Sequence, residues 1–358
     1  MKERVDRMSV GGKKRVFGGL DLGGTKIQAV LLDEEGNVLS QARRATPQQG
    51  GPPAIIDEMF STLQEATKLM KLEPSALTGV GVGAPGAVDP VAGVLLKAGN
   101  LPGWDGPHPL AEVLSKKVKA PVFLGNDVQV AVAAEARLGA GRPYRSLLGV
   151  WWGTGVGGGI YLDGRRWTGR GAAGEIGHIV VRRGGARCSC GRRGCLEAYA
   201  GRGAMERRAR RAIERGQKTR LFELMEAQGK ERLTSGIWMK ALKQEDGLAE
   251  RLIARALRML GAGIASAVNL LDVEAVIIGG GLGTRLGQPY VERIAEAMHP
   301  HLFVPQRPPD VRLSALGELS GAIGAALLAE PTAQGLSSGP APRASSHEET
   351  RGSSRSHP

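Results

Sequence analysis

Two segments of this chain repeat one design: an apolar strand, a glycine-rich turn and an apolar return. The first runs through Val16–Leu22, Gly23-Gly24-Thr25-Lys26 and Ile27–Asp33; the second runs through Leu147–Trp152, Gly153–Gly159 and Ile160–Leu162. Short apolar runs bounded by glycine read as buried strands. The recurrence predicts two related lobes with a cleft between them. A third strand, Ala275–Ile278, runs into Gly279-Gly280-Gly281. One such turn alone reads as a hairpin. Three of them suggest ligand contact, because amides not shielded by a Cβ form concavities for anions. None carries the GxxxxGK[ST] spacing of a P-loop. Glycine is abundant, 54 of 358 residues, about twice the usual share of roughly 7%. Its clustering after apolar runs assigns it to ligand-contacting turns.

The remaining pattern alternates strands with helices, which predicts an α/β architecture. Helices are expected at residues 54–71, 109–118 and 322–329, and several within 202–271. Further strands are expected at 77–82, 121–124 and 311–315. Residues 1–15 read as a basic tail. A first lobe spans 16–125 and is completed by 316–330. A second lobe spans 126–315 and carries a cysteine cluster and a helical insertion. Residues 331–358, rich in Ser, Gly, Pro and His, bury too little apolar surface to order themselves and read as a disordered tail.

Charge is uneven. The formal net charge is +13, and residues 165–211 hold thirteen Arg, no Lys and three acids, Glu175, Glu197 and Glu206. The plainer reading is a solvated arginine-rich face; the alternative is a surface for nucleic acid or another polyanion. No run of about 18 apolar residues is present, which speaks against a membrane span. The N-terminus lacks the apolar core of a secretory signal. Three cysteines within eight residues do not form a disulfide framework, so a cytoplasmic protein is expected.

His178, Cys188, Cys190 and Cys195 offer one imidazole and three thiolates at short spacing, a set that suits tetrahedral zinc. Four protein ligands leave no open position for water, so the zinc is read as structural. Gly125-Asn126-Asp127 follows the strand at 121–124 and places a carboxylate at a strand end. There it can accept a proton from a substrate hydroxyl, although by itself an Asn-Asp pair is usually a turn. Asn100, in Asn100-Leu101-Pro102-Gly103-Trp104, has the same standing alone. Asp21 is placed to hold magnesium through water, with Thr25 and Lys26 facing phosphate. Glu175 and Glu197 flank the cysteines and, if held rigid by a metal, would accept hydrogen bonds from sugar hydroxyls.

The ordered series DLGGTK at Asp21, GAPGAVDP at Gly83, NLPGW at Asn100, GND at Gly125, GTGVGGG at Gly153, GEIGH at Gly174, CSCGRRGCLE at Cys188 and AVIIGGG at Ala275 resembles the ROK family of bacterial sugar kinases and sugar-responsive repressors. The resemblance covers about Val16 to Ala329. It implies a two-lobed actin-like ATPase fold, a duplicated ribonuclease H-like α/β design with a central cleft. It implies Asp127 as the base at a sugar 6-hydroxyl, and Asn100, Asn126, Glu175, His178 and Glu197 as sugar contacts. His178 would serve twice, one ring nitrogen on zinc and the other toward a hydroxyl. Asp21, Gly23, Gly24, Thr25, Lys26, Gly153, Thr154 and Gly155 would cradle the phosphates of ATP with Mg2+, and Gly280 and Gly281 would lie near adenosine. The full zinc set and NLPGW look like the glucokinase branch, with glucose or a related hexose as acceptor. N-acetylhexosamine, mannose or fructose kinases are the near alternatives. A sugar-sensing regulator is the alternative of another class, but only about fifteen residues precede the first strand, too few for a helix-turn-helix unit. The arginine load also leaves polyphosphate open as donor. A homodimer is implied by the resemblance alone.

Overall fold

The computed structural model describes residues 15–331. The expected tails at 1–15 and 331–358 therefore lie outside it, apart from residues 15 and 331. The chain begins with β1 (Phe17–Leu22), β2 (Lys26–Leu32), β3 (Val38–Ala45) and α1 (Gly51–Leu69). It continues through β4 (Gly79–Ala84), the hairpin β5 (Ala87–Asp89) and β6 (Val94–Lys97), α2 (Leu110–Val118), β7 (Val122–Asn126) and α3 (Asp127–Leu138). Next come β8 (Leu147–Trp152), β9 (Val156–Leu162), β10 (Arg165–Trp167), then α4 (Glu197–Ala200), α5 (Arg202–Ile213), α6 (Leu221–Glu226), α7 (Ser235–Lys243) and α8 (Gly247–Leu271). The last elements are β11 (Ala275–Gly279), α9 (Gly280–Leu286), α10 (Gln288–Met298), β12 (Asp310–Leu313) and α11 (Ser320–Leu328).

The repeat seen in the sequence is a repeat in space. One five-stranded sheet has the order β3-β2-β1-β4-β7 and the other β10-β9-β8-β11-β12. Each is an antiparallel meander of three strands followed by two strands parallel to the first. The expected strands are present, shifted by a residue or two at their ends, except that β9 starts four residues early, inside the run expected as a glycine turn; β3, β5, β6 and β10 are additional to those expected. Differences are local. Helix α1 begins three residues early because Pro52 and Pro53 suit the first turn, where no intrahelical N–H is needed. The Asn126-Asp127 pair is a helix start and not a turn, with the Asn126 side chain accepting from the Val128 and Gln129 N–H groups as N-cap. The third glycine run likewise opens helix α9 rather than a hairpin.

Between the two sheets lie α3 and α11, packed against each other; α11 covers β1 and β4, and α3 covers β9. This layer accounts for much of the glycine, and corrects its assignment to turns alone. A Cβ on Gly81 of β4 would sit 1.7 Å from the Ala325 carbonyl oxygen, and one on Gly19 of β1 2.0 Å from that of Ala322. Across the layer, a Cβ on Gly149 of β8 would meet Val132 Cγ2 at 2.1 Å. Mid-strand glycines thus let both helices lie almost flush on the sheets. Elsewhere each sheet has an ordinary apolar core: Leu20, Ile27, Ile55, Met59 and Val82 under α1, and Val150, Trp152, Trp238, Leu260 and Ile278 under the helical region. Among the described residues no helix is long and apolar enough to cross a membrane.

Replacing Gly81 by Ala should therefore be far worse than replacing Gly106, whose Cβ would meet nothing within 4 Å. Because backbone must move, we expect Gly81→Ala to cost about 3 kcal/mol or more, against less than about 1 kcal/mol for Gly106→Ala. Urea unfolding of the two variants checks this; equal midpoints would contradict the flush packing.

Candidate active site

Parallel pairing brings the two acids of the site to one edge. Asp21 at the end of β1 is in register with Gly83, and Gly83 with Gly125 of β7. Asp127 follows as the first residue of α3. A Cβ on Gly83 would lie 3.4 Å from the Asp127 Cα, and one on Gly321, in the first turn of α11, 2.6 Å from the Asp21 carboxyl carbon. Each acid thus sits at a helix N-terminus, where the backbone dipole favours negative charge. Burial opposes this and prevails. It raises Asp21 to about 6, with Lys26 pulling the other way. It raises Asp127 to about 7, and the neighbouring charges of Asp21 and Glu175 push in the same direction, against the Val128 N–H that donates to its carboxylate.

The other wall of the site comes from the second sheet. The turn after β8 is closed by the Gly153 N–H donating to the Gly155 carbonyl at 3.0 Å. Gly157 passes so close to Val128 that a Cβ would meet its Cγ2 at 2.7 Å, which sets this turn beside the start of α3. Gly153 also faces α9: its Cβ would lie 3.8 Å from the Gly281 nitrogen. Gly280 has φ +81° and would clash with the Trp152 backbone at 2.7 Å, so only glycine fits there. On the first sheet, a Cβ on Gly24 would sit 2.5 Å from the Asn100 carbonyl, so the Gly23-Gly24 turn and the Asn100 segment touch. Thr25 is exposed, and Lys26 Nζ pairs with Glu318 at 2.8 Å.

The remaining sequence-predicted residues gather around these walls. Asn126 spends its carbonyl on the α3 cap and donates its amide to the Gly86 carbonyl at 3.3 Å. Glu175 lies near Asp127, and its Oε2 is 4.0 Å from His178 Nε2. His178 turns its other nitrogen, Nδ1, to Cys188 Sγ at 3.8 Å. Glu197, at the start of α4, bridges the cysteine loop to the Gly153 turn. It accepts from the Val156 N–H at 3.1 Å and from Ser189 Oγ at 2.8 Å.

The metal set is assembled. The ligand atoms of His178, Cys188, Cys190 and Cys195 all lie within 4.8 Å of one another, and Cys190 and Cys195 Sγ are 3.8 Å apart. Metal–sulfur bonds of about 2.3 Å in a tetrahedron give sulfur–sulfur edges of about 3.8 Å, so the residues fit zinc. Crowded thiols also pull against one another. Hydrogen bonds from Arg192 bring Cys190 down to about 6, while burial raises Cys195 to about 11; a divalent cation relieves that conflict.

Two residues of the site were not visible in the sequence. Arg202, at the start of α5, donates both to Thr154 Oγ1 and to Ser235 Oγ at the start of α7. Nothing in the spacing singles out one arginine among thirteen.

Comparison with known proteins places this geometry. The family model described as ROK matches residues 17–332. The glucokinase of Thermotoga maritima is 33% identical over 312 residues, covering 86% of this chain and 95% of its own. The N-acetyl-D-glucosamine kinase of Pectobacterium carotovorum is 30% identical, covering 87% and 98%. A ROK family glucokinase from Streptomyces griseus, solved with glucose and AMPPNP, superposes with a TM-score of 0.74 at 33% identity, covering 87% and 98%. These solved relatives have the two-lobed actin-like ATPase fold, which the paired sheets reproduce. The chain belongs to the ROK family.

Proposed function

We propose that this protein transfers the γ-phosphoryl group of ATP to the 6-hydroxyl of a hexose, with glucose as the preferred acceptor. The observation that carries the reading is Asp127, a recessed carboxylate at the start of α3 raised to about 7, near Asp21 and Glu175, whose neighbour Val128 packs on Gly157 at the end of the second glycine turn. A base is most effective when its pKa lies near the working pH, because it is then both ionised and able to hold a proton. Asp127 accepts the hydroxyl proton as the sugar oxygen attacks. Glu175, the Nε2 side of His178, Asn100 and the free amide hydrogen of Asn126 orient the sugar. The Gly24, Thr154 and Gly155 amides hold the donor phosphates, in turns closed by the Gly23 and Gly153 N–H groups, and Asp21 faces the metal-bound end of the donor. Magnesium supplies charge neutralisation between the phosphate oxygens when bound. Zinc, held by His178, Cys188, Cys190 and Cys195, fixes the loop that carries the sugar contacts. Glucose is favoured over N-acetylhexosamines by the similarity to glucokinases at about one-third identity.

A panel of kcat/KM values for glucose, mannose, fructose, N-acetylglucosamine and N-acetylmannosamine tests the acceptor. A higher value for any sugar but glucose overturns that part of the reading. Because Asp127 must be ionised, kcat/KM should rise about tenfold per pH unit below roughly 7 and level off above it. A flat profile from pH 5.5 to 8 would remove Asp127 as base. Asp127→Asn should lower kcat by roughly 10²–10⁴-fold. A raised folded-state value means ionisation costs stability as pH rises from the unfolded value of 3.8 to about 7. The Asn variant should accordingly melt higher than wild type at pH 8, and no higher at pH 3.5. Chelation of zinc, or Cys190→Ser, should raise the sugar KM at least tenfold and weaken ADP binding by less, since the metal would order the cysteine loop directly and reach the Gly153 turn only through Glu197. Full activity in a metal-free preparation, verified by elemental analysis, would take zinc out of the site.

A further inference from the structure

Arg202 is the residue of the site that neither its spacing nor any family motif announced. It opens α5, and its backbone N–H donates to the Gly153 carbonyl at 3.0 Å, while the next N–H, of Gly203, donates to the Thr154 carbonyl at 3.0 Å. The phosphate turn is thereby docked on the start of the helix. Its side chain continues the same connection. Nη2 donates to Thr154 Oγ1 at 2.8 Å and Nη1 to Ser235 Oγ at 2.9 Å. One guanidinium thus bridges the turn after β8 and the start of α7.

The direction of these bonds matters. Arginine has donors and no acceptor, so each hydroxyl oxygen must accept, which leaves each hydroxyl hydrogen free to donate elsewhere. Neither hydroxyl donates to a protein acceptor among the described residues. Ser235 Oγ in turn lies 3.8 Å from where a Gly281 Cβ would be, and Gly281 borders Gly153. Two oriented O–H donors, two glycine-lined backbones and the unspent N–H groups of a guanidinium converge on one place. Everything that converges donates.

The charge is also poorly compensated. No carboxylate is hydrogen-bonded to Arg202 among the described residues. Glu206 favours its charge from a distance but is itself bonded by Arg210, by Arg232 and by the Leu233 N–H. Burial and the neighbouring Arg232 both work against the charged form of Arg202. A half-buried cation facing a second cation and surrounded by donors is stabilised by an anion.

We propose that Arg202 is a donor-binding residue: it contacts the phosphates of the bound nucleotide and holds the Thr154 and Ser235 hydroxyls as donors to the same anion. The proposal rests on the kinase reading for the identity of the anion, but its test does not use turnover. MgADP and adenosine are titrated calorimetrically into wild type, Arg202→Gln and Arg202→Lys at one ionic strength, with the fold checked by thermal melting. Hydrogen bonds to charged groups contribute about 1.5–3 kcal/mol, so Arg202→Gln should weaken MgADP roughly 10- to 100-fold. Adenosine affinity should stay within about twofold. Arg202→Lys, which keeps the charge but not the fork, should fall between the two. Equal weakening of adenosine and MgADP, or none of either, overturns the proposal, as does a Lys variant no better than Gln. Should Arg202→Gln fail to fold, Thr154→Val carries the test, with the same preferential loss of MgADP expected and its absence counting against the proposal. Failure of the kinase reading would look different: wild type would bind MgADP with the predicted Arg202 dependence yet phosphorylate none of the hexoses.

Discussion

The contact on which the rest of the molecule depends is the one between backbone and backbone in the layer of α3 and α11. Strand glycines at 19, 81 and 149 remove the side chains that would hold these helices off the sheets. Close approach has two consequences. It joins two sheets that each have their own apolar core into one body, because α3 lies on β9, α11 lies on β1 and β4, and the two helices pack on each other. It also fixes where the helices begin. The start of α3 delivers Asp127 and the start of α11 abuts Asp21, so the distance between the two carboxylates is set by helix packing rather than by a loop.

That arrangement is held by a buried acid far from the chemistry. Glu135, in the last turns of α3, is fully buried and accepts from the N–H groups of Ala140, Ala315 and Leu316. Its carboxylate therefore fastens the exit of α3 to the segment leading from β12 into α11. These are the two places where the chain passes between the sheets. Three backbone donors satisfy an ion that would otherwise be very costly to bury. The same protein leaves Asp21 and Asp127 poorly compensated, raised to about 6 and about 7. Glu135 is fully bonded and serves the fold; Asp21 and Asp127 are under-bonded, an imbalance of the kind reactive sites use.

The sequence shows its architecture through what is periodic and local. Strand–turn–strand units announce the duplicated sheets because glycine bounded by apolar runs has few other uses, and three cysteines with one histidine announce a metal because thiols at that spacing have few other uses. Asn126 was harder, since an Asn-Asp pair serves a turn and a helix cap equally well, and only the identity of the following segment decides. The strand glycines are not legible as such, because a glycine that contacts a ligand and a glycine that admits a helix look alike in one dimension. Arg202 was invisible for another reason. Its partners, Thr154 and Ser235, are 48 and 33 residues away, and nothing local marks a residue whose role is to join three distant element ends.

The arginine-rich stretch, read from composition as a solvated face or a polyanion surface, divides along structural lines. Arg210 and Arg232 share Glu206. The guanidiniums of Arg208 and Arg255 lie over the Tyr199 ring at 5.3 and 5.1 Å from its centroid. Cation–π contact of this kind stabilises by roughly 0.5–2 kcal/mol and immobilises the ring. Tyr199 in turn accepts the Ala186 N–H at 2.8 Å, and it packs with Cys188 and Cys195. The arginines thus brace, through one aromatic ring, the cysteine loop, whose end leads into Glu197 and whose Cys188 Sγ lies 3.8 Å from His178 Nδ1. Part of the positive charge in this region steadies the cysteine loop and, at Arg202, the turn after β8. A surface for nucleic acid requires cations that are free to meet a phosphate backbone; Arg202, Arg208 and Arg210 are engaged within the protein, whereas Arg165, Arg170, Arg182, Arg183, Arg187, Arg193 and Arg207 stand exposed, as a solvated face requires.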